Sequence, residues 1–578
     1  MSTLETKRHS LAHLMAAAVK EMWPQAKLAI GPAIDNGFYY DIDFAGASIN
    51  DTQLKEIEKK MTHLVKQNLE FTRTEKNIEE ALAWARAEKD PYKEEIISDL
   101  KEKGETTVSF YTVGQFTDLC RGPHVENTKE IKPHSFKLDK LAGAYWRGDE
   151  KNKMLTRLYG LAFDTKEELD EYLKMMAEAE KRDHRQLGKD LDLFMNHELA
   201  PGMPFFLPKG MILLQELLKF VRSYSYGDGY YEVRTPQILN AELWKISGHW
   251  EHYQEDMFCL HHAEDDIDLG IKPMNCPAHM LIFKRDLHSY KELPLRLAET
   301  TTLYRNEKSG TLHGLTRVRS LSQDDSHIFA RPDQILDEIS TLLDKIKMIY
   351  RVFDLEIDEI HLSTRPAHFL GEKSVWDEAE ANLKQALEKA KLAYHINEGD
   401  GAFYGPKIDV KVKDAIGRQW QLATIQLDFQ LPQRFALKYT EADGSAKTPV
   451  VIHRALLGSM ERFLGVIIEH YAGAFPLWLS PVQVKLISVA KTHLPACQKL
   501  ANELKEAGIR VEIDENNETV GNKIRKAIKE KVPYMLVIGD KEAAAEKLVV
   551  RDRGAKETRE ISREDFLKEL TDKIKNYT

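Results

Sequence analysis

The sequence predicts a multidomain α/β protein: an α+β front domain, a central domain on an antiparallel sheet, and an α/β tail domain. Three observations carry this expectation. At 578 residues the chain exceeds what one hydrophobic core organises. In its middle, Lys407-Ile408-Asp409-Val410-Lys411-Val412 alternates so that Ile408, Val410 and Val412 share a face. Such alternation marks an antiparallel sheet covered on one side. In the last hundred residues, strand-like and helix-like runs alternate with short loops, which implies βαβ units and a largely parallel sheet.

Residues 1–164 open with Ser10-Leu11-Ala12-His13-Leu14-Met15-Ala16-Ala17-Ala18-Val19, a run of good helix formers. Pro24 and Gly31-Pro32 break it, and short strands such as Gly37-Phe38-Tyr39-Tyr40-Asp41 follow. Residues 165–195 are charged and helical in propensity, with Lys181-Arg182-Asp183-His184-Arg185 at their heart, and read as a helical linker. Residues 196–478 form a large central block with two long helical patterns, 334–352 and 375–391. The tail, 479–578, reads strand (484–489), helix (494–507, ended by Gly508), strand (510–513), helix (520–531), strand (534–538).

Hydrophobic content of 42% and charged content of 30% are ordinary for a globular chain. No run approaches 18 apolar residues, and Met1-Ser2-Thr3-Leu4-Glu5-Thr6-Lys7-Arg8-His9 has no signal-peptide core, so a cytoplasmic protein without a membrane partner is expected. Cys120, Cys259, Cys276 and Cys497 are scattered, and in a reducing compartment suit core, metal or catalytic roles better than disulfides. The net charge of -10 argues mildly against a nucleic-acid partner. Against that stands the basic run 522–531, readable as a solvated helix face or as a local phosphate-binding face.

Two arginines stand out in the central block. Arg305 sits in Thr302-Leu303-Tyr304-Arg305-Asn306-Glu307, where strand spacing puts Arg305 and Glu307 on one face. Arg462 sits in Gly458-Ser459-Met460-Glu461-Arg462-Phe463, at the start of a helical apolar run. A guanidinium fork donates two parallel charge-assisted hydrogen bonds to phosphate, although a lone arginine is usually a surface residue. The order of elements resembles the three signature motifs of class II aminoacyl-tRNA synthetases. The first motif ends Gly229-Tyr230-Tyr231-Glu232-Val233-Arg234-Thr235-Pro236, the second is Tyr304-Arg305-Asn306-Glu307 with its loop, and the third spans Gly458 to Arg462. The resemblance implies that Arg305 holds the α-phosphate of ATP, Arg462 the far end, and Glu307 the adenine. It also implies that Arg317 faces ATP, that Mg2+ bridges the phosphates, and that the protein is a homodimer. In-line attack of an amino-acid carboxylate then needs positioning and charge neutralisation, not a protein nucleophile.

Cys276, His327 and His453 are chemically a sensible zinc set with an open position, but their separation makes spacing uninformative, and buried structural roles stay open. Their settings, Met274-Asn275-Cys276-Pro277, Gln323-Asp324-Asp325-Ser326-His327 and His453-Arg454-Ala455-Leu456-Leu457-Gly458-Ser459, resemble threonyl-tRNA synthetases. The resemblance implies that these three bind one Zn2+, with L-threonine, ATP and tRNA(Thr) as partners. Valine is nearly isosteric with threonine, and size alone separates such analogues by only about 1–3 kcal/mol. A metal gripping amino and hydroxyl groups rejects valine. Gln323, Asp325, Tyr404 and Gln426 are implied as further threonine contacts, and His249, in Ser247-Gly248-His249-Trp250, as the base for transfer to tRNA.

Serine passes such a test, so a second, hydrolytic site is the usual remedy. The front domain carries His9 and His13 at i, i+4 spacing and, downstream, Asp118-Leu119-Cys120-Arg121-Gly122-Pro123-His124. By residue type alone this is either a zinc site or a hydrolytic site. It resembles the editing domain of bacterial-type threonyl-tRNA synthetases, related to that of alanyl-tRNA synthetases. That implies hydrolysis of seryl-tRNA by His9, His13, Cys120 and His124, helped by Lys93 and Asp118, with no obligatory metal. The tail resembles the anticodon-binding domain of several class II enzymes, with Asn517, Lys531, Glu542 and Arg551 at the matching positions. Lys531 stands where an arginine is expected, keeping charge but losing the fork. The family's bacterial members begin with a ubiquitin-like domain, and residue 1 here opens at the editing helix, as a short natural form or a trimmed chain would. The competing expectation is a non-aminoacylating tRNA- or mRNA-binding paralogue, which loss of Arg305, Arg462 or a metal ligand would favour; all are present.

Overall fold

The computed structural model describes residues 2–264 and 266–578; Met1 and Asp265 lie outside them. The chain forms two compact units, Met1–Ala177 and Glu178–Thr578.

In the first unit, the helix Leu4–Met22 is capped by Thr3, whose side chain accepts from Thr6 N, and is buried along Ser10 to Val19. It packs with helix Asp51–Lys66 over a sheet whose main strands are Gly37–Asp43, Met154–Ala162 and Phe136–Tyr145, all antiparallel. A second sheet pairs Phe71–Asn77, Thr107–Val113 and Phe116–Leu119. Helix Pro91–Glu102 is capped by Asp90, which accepts from Tyr92 N and Lys93 N. This is the α+β arrangement expected for the front domain.

The linker is not one continuous helix. Lys166–Arg182 and His184–Asp190 are separate, because Asp183 leaves helical geometry to cap the second with its side chain on Arg185 N. Leu191, Leu193 and Phe194 then enter the core of the second unit.

That unit is built on an eight-stranded sheet among the described residues. Its order is Tyr230–Glu232, Leu295–Glu299, Asp325–Ala330, Val450–Ala455, Gln419–Asp428, Lys407–Lys413, Glu356–Ser363, His395–Asn397. The inner pairings are antiparallel and the two edge pairings parallel. Helix Ile335–Val352 buries Ile335, Ile339, Leu342, Leu343, Ile346 and Ile349, a stripe at helical spacing worth about 1.5–3 kcal/mol per side chain. Helices Ile335–Val352 and Lys373–Lys389 contact the sheet, as the alternation of Lys407 to Val412 requires.

The tail sheet is mixed. Val511–Asp514, Val484–Ser488 and Tyr534–Ile538 are parallel, but Lys547–Asp552 and Arg559–Ser562 add antiparallel strands that the βαβ pattern did not reveal. Two strands joined by a short loop pair antiparallel, because a parallel return needs a crossover.

Candidate functional site

A cavity of about 290 Å3 in the second unit is lined by the three expected metal ligands Cys276, His327 and His453. The expected nucleotide contacts Arg305, Glu307, Arg317 and Arg462 line it too, as do Gln323, Asp325, Tyr404 and Gln426. Sheet register explains much of this convergence. His327 pairs with His453, and His453 with Gln426, across three adjacent antiparallel strands, so the three form one row on one face. Cys276 opens the helix Cys276–Lys284. One ligand atom from each of Cys276, His327 and His453 lies within 4.8 Å of the others, and all three residues are buried.

Each imidazole has one ring nitrogen engaged: His327 Nδ1 lies 2.8 Å from His279 Nδ1, and His453 Nε2 lies 2.9 Å from Asp428 Oδ2. Asp428 is itself fixed by Gln430 N and Leu431 N. A thiol and two oriented imidazoles, each with a nitrogen to spare, fit a zinc ion. Asp325 Oδ2 accepts from Asn275 Nδ2 at 2.9 Å, and Gln426 Nε2 donates to Gly405 O at 3.1 Å.

The arginines arrive differently from expectation. The strand ends at Tyr304, so Arg305 and Glu307 do not share a strand face. Glu307 N donates back to Arg305 O at 2.8 Å, and this tight turn brings both side chains to the cavity. Arg317 Nε donates to Glu307 Oε2 at 2.9 Å, and Arg462 Nε to Thr316 O at 3.1 Å. Burial, then the neighbouring Arg305 and Arg317, hold Arg462 below the usual arginine range. Guanidiniums gathered in excess of the Glu307 carboxylate favour a polyanion.

Sequence reasoning missed the residue that shapes this end. Asp324 is 1% exposed. Its carboxylate accepts from Leu456 N (2.9 Å), Leu457 N (3.2 Å), Gly458 N (3.0 Å) and Tyr224 Oη (2.9 Å), and pairs with Arg454 at 3.3 Å. The turn it holds leads into helix Met460–His470, where the Ser459 side chain accepts from Arg462 N. Gly458 has φ +76, and a Cβ there would meet Leu422 O at 2.7 Å, so only glycine fits. A buried neighbour, Glu461, accepts from Ser322 N at 2.8 Å, and burial pushes its carboxyl up to about 7.

His249 lies outside the cavity lining. Gly248, at φ +84, ends helix Ala241–Ser247 and turns His249 inward, 0% exposed, against Phe403 and Tyr404 at ring distances of 5.2 and 5.9 Å. Its Nδ1 meets Ser247 Oγ at 2.8 Å, while Nε2 has no partner among the described residues. Burial lowers its pKa to about 3, so the ring is neutral.

The first unit holds a second cavity, of about 620 Å3, lined by His9, His13, Lys93, Asp118 and Cys120 among others. Cys120 Sγ lies 3.3 Å from His9 Nε2 and 3.2 Å from His124 Nε2, and these three form a possible ligand group. His13 stays out of that group. It is 3% exposed, its ring centroid lies 5.0 Å from that of His124, and its Nε2 is buried with no partner among the described residues. Burial lowers His13 to about 3 and His124 to about 2, and raises the Cys120 thiol to about 11. At neutral pH the group is a thiol among uncharged imidazoles, not a thiolate nucleophile. Lys93 Nζ and Asp118 Oδ2 form a buried pair at 2.9 Å, joined by Tyr40 Oη, 2.6 Å from the same oxygen. Tyr40 and Ser10, whose Oγ lies 3.1 Å from His124 Nδ1, carried no signal beyond ordinary strand and helix residues.

In the tail, Asn517 follows the carboxyl end of strand Val511–Asp514, and Glu542 that of Tyr534–Ile538. Lys531 precedes the other end of Tyr534–Ile538, where Arg551 pairs with Met535, so the four are spread along the sheet. Glu542 accepts from Gly539 N at 3.0 Å, and Arg551 Nε donates to Ala555 O at 3.1 Å. The basic run is only partly a surface: Lys523 is 3% exposed and donates to Ser488 O and Asp514 O, while Arg525 and Lys529 face solvent. No helix of the described residues is long and apolar enough to cross a membrane.

Comparison with known proteins agrees with this geometry. Residues 258–471 match the tRNA synthetase class II core domain (G, H, P, S and T). Residues 483–573 match an anticodon binding domain, and 108–159 the threonyl and alanyl tRNA synthetase second additional domain. The chain is 52% identical over 572 residues to a threonine–tRNA ligase of Clostridium tetani, covering 99% of this chain and 88% of that one. It is 51% identical over 570 residues to the corresponding ligase of Clostridium acetobutylicum, with the same coverage. Among solved structures, the RNA binding domain of threonyl-tRNA synthetase from Cryptosporidium parvum superposes with a TM-score of 0.66 at 42% identity, covering 68% of this chain and 98% of that one. With a class II core, an anticodon-binding tail and an editing-type front domain in one chain, the protein belongs to the threonine–tRNA ligase family.

Proposed function

We propose that this chain activates L-threonine with ATP, transfers it to the 3′ end of tRNA(Thr), and hydrolyses seryl-tRNA(Thr) in its first unit. The observation that carries the reading is the single cavity in which Cys276, His327 and His453 stand beside Arg305, Arg317 and Arg462. Arg305 and Arg462 bind and neutralise the ATP phosphates, with Mg2+ accompanying the nucleotide, and Glu307 receives the adenine. Cys276, His327 and His453 would hold zinc, which would supply a Lewis acid able to tell an amino acid with a side-chain hydroxyl from valine, which has none. Asp325 and Gln426, oriented by Asn275 and Gly405, with Gln323 and Tyr404, position the amino acid for in-line attack of its carboxylate. For transfer to tRNA, His249 is the residue assigned to accept the proton, and its Nε2, which has no partner among the described residues, supports that role.

In the first unit, the neutral imidazoles of His9, His13 and His124 and the Cys120 thiol orient a water on the seryl ester, and the Lys93–Asp118 pair shapes the cavity wall. The tail meets the anticodon through Asn517, Lys531, Glu542 and Arg551, a spread that suits consecutive nucleotides more than one base. We further read the enzyme as a cytoplasmic homodimer. Its four cysteines are unpaired, and Tyr231 (64% exposed), in the first motif, and Ile238 (51%), just beyond it, present apolar surface. ATP–pyrophosphate exchange with threonine, valine and serine, before and after chelation of zinc, tests the reading. Exchange should be zinc-dependent with threonine and serine and negligible with valine; equal exchange with valine would overturn it.

A further inference from the structure

We propose that a buried relay from Glu299 through His279 to His327 fixes which nitrogen of His327 faces the metal site, making His279 and Glu299 positioning residues for the ion. The inference rests on the zinc reading above and deepens it.

All the groups involved are buried: Glu299 and His279 are 0% exposed and His327 is 1%. Glu299 Oε1 accepts from Thr235 N (2.8 Å), Thr301 Oγ (2.9 Å) and Lys272 Nζ (3.1 Å). Its Oε2 accepts from Thr235 Oγ at 2.8 Å and lies 3.1 Å from His279 Nε2. With that many donors around it, one an ammonium, the carboxylate is ionised and can only accept. A proton therefore sits on His279 Nε2. A His327 that ligates through Nε2 donates from Nδ1, and the lone pair that receives that proton is the one on the facing nitrogen, His279 Nδ1. That lone pair lies 2.8 Å from His327 Nδ1. Two nitrogens so close share one proton, and it has to sit on His327 Nδ1. The remaining nitrogen of His327, Nε2, is then bare and able to ligate. In the opposite tautomer Nε2 carries hydrogen and cannot ligate. His453 receives the same service from Asp428 in one step, whereas His327 receives it from a carboxylate through a second imidazole.

The helix Cys276–Lys284 thus contributes twice, with Cys276 toward the ion and His279 toward the ligand His327. Beyond Glu299 the relay ends on Thr235, in the first motif's segment, and on Lys272, next to the Pro273 carbonyl that accepts from Arg305 Nε at 3.3 Å.

The test compares His279→Leu with His279→Asn, two replacements of similar size that differ in what they offer His327. Glu299 draws the Asn amide NH2 toward itself, so the Asn oxygen occupies the place of Nδ1 and accepts from His327. Leucine offers nothing there. Zinc affinity is measured by chelator competition on the full chain, with thermal unfolding in excess chelator as the folding control. His279→Leu should weaken zinc about 10–100-fold while His279→Asn stays within a few-fold of the parent. Glu299→Gln is the second variant. Lys272 and Thr235 N claim the Gln oxygen, so its NH2 meets His279 Nε2, reverses both tautomers, and lowers zinc affinity by a similar factor. Equal affinities for His279→Leu and His279→Asn, or an unchanged Glu299→Gln, would overturn the relay while leaving the zinc reading intact. A parent chain that takes up no zinc, no more than Cys276→Ser does, would remove the zinc reading and the relay with it.

Discussion

Replacing Asp324 by asparagine changes one atom and tests how the third motif is held. The parent carboxylate receives three consecutive backbone N–H groups, Leu456, Leu457 and Gly458, together with Tyr224 Oη and the buried Arg454. An amide has one acceptor oxygen. If that oxygen faces Arg454 and Tyr224, the NH2 confronts the Gly458 and Leu457 N–H groups; if it turns, the NH2 confronts Arg454. Either way the buried guanidinium, 2% exposed, loses its counter-charge. Removing one partner of a buried ion pair costs about 3–5 kcal/mol. Spread over a cooperative unit of about 400 residues, that is a fall in Tm of about 4–6 °C. Function should suffer as well, because the displaced turn sets the start of the helix that carries Arg462: the KM for ATP in pyrophosphate exchange should rise about tenfold. Scanning calorimetry on the apo chain and exchange kinetics at varied ATP measure the two effects. An Asp324→Asn variant that melts together with the parent and keeps an unaltered KM for ATP would refute the assigned role of Asp324.

Other consequences are as direct. Arg462→Lys keeps the charge but loses the fork, and should lower kcat/KM for ATP about 10–100-fold with little change in unfolding. Glu461 has its folded pKa near 7, above the unfolded value, so the folded chain binds the extra proton between about pH 4.5 and 7. Stability on that account is greatest below pH 4.5 and declines by about 3 kcal/mol as pH rises through 7. Glu461→Gln should therefore flatten the fall of Tm between about pH 5 and 8, and an unchanged slope would contradict the sign. In the first unit, His9→Ala should unfold within about 1 kcal/mol of the parent yet accumulate seryl-tRNA. Asp118→Asn, which strands the buried Lys93, should cost about 3–5 kcal/mol, and deacylation assays beside melting curves separate the two.

Much of this was legible in the order of residues. Helical stripes at 335–352 and alternation at 407–413 announced the layers of the central domain, because periodicity reports which face is buried. The words around Cys276, His327 and His453 pointed to one group of three, and what brings its two histidines side by side is strand register, which no spacing encodes. Arg305 and Glu307 reach one cavity by a turn and not by the strand face inferred for them. Asp183 breaks the linker because its side chain caps the next helix, a local competition that the helical propensity of its neighbours conceals. Asp324, His279, Ser10 and Tyr40 went unnoticed for a common reason. Each acts on partners dozens of residues away or more, and only the folded chain brings the partner into reach. His249, implied as the base for transfer, and Lys523, part of the basic run, are both buried, which nothing local reveals, since no neighbouring residue distinguishes an inward histidine or lysine from an exposed one.

The X-ray absorption spectrum of the purified chain at the zinc edge probes the threonine site at its centre. One sulfur at about 2.3 Å and two imidazole nitrogens at about 2.0–2.1 Å are expected, with added threonine, but not valine, raising the number of light-atom neighbours. Absence of zinc, a multi-sulfur environment, or an identical response to valine would contradict a metal held by Cys276, His327 and His453 that selects the amino acid.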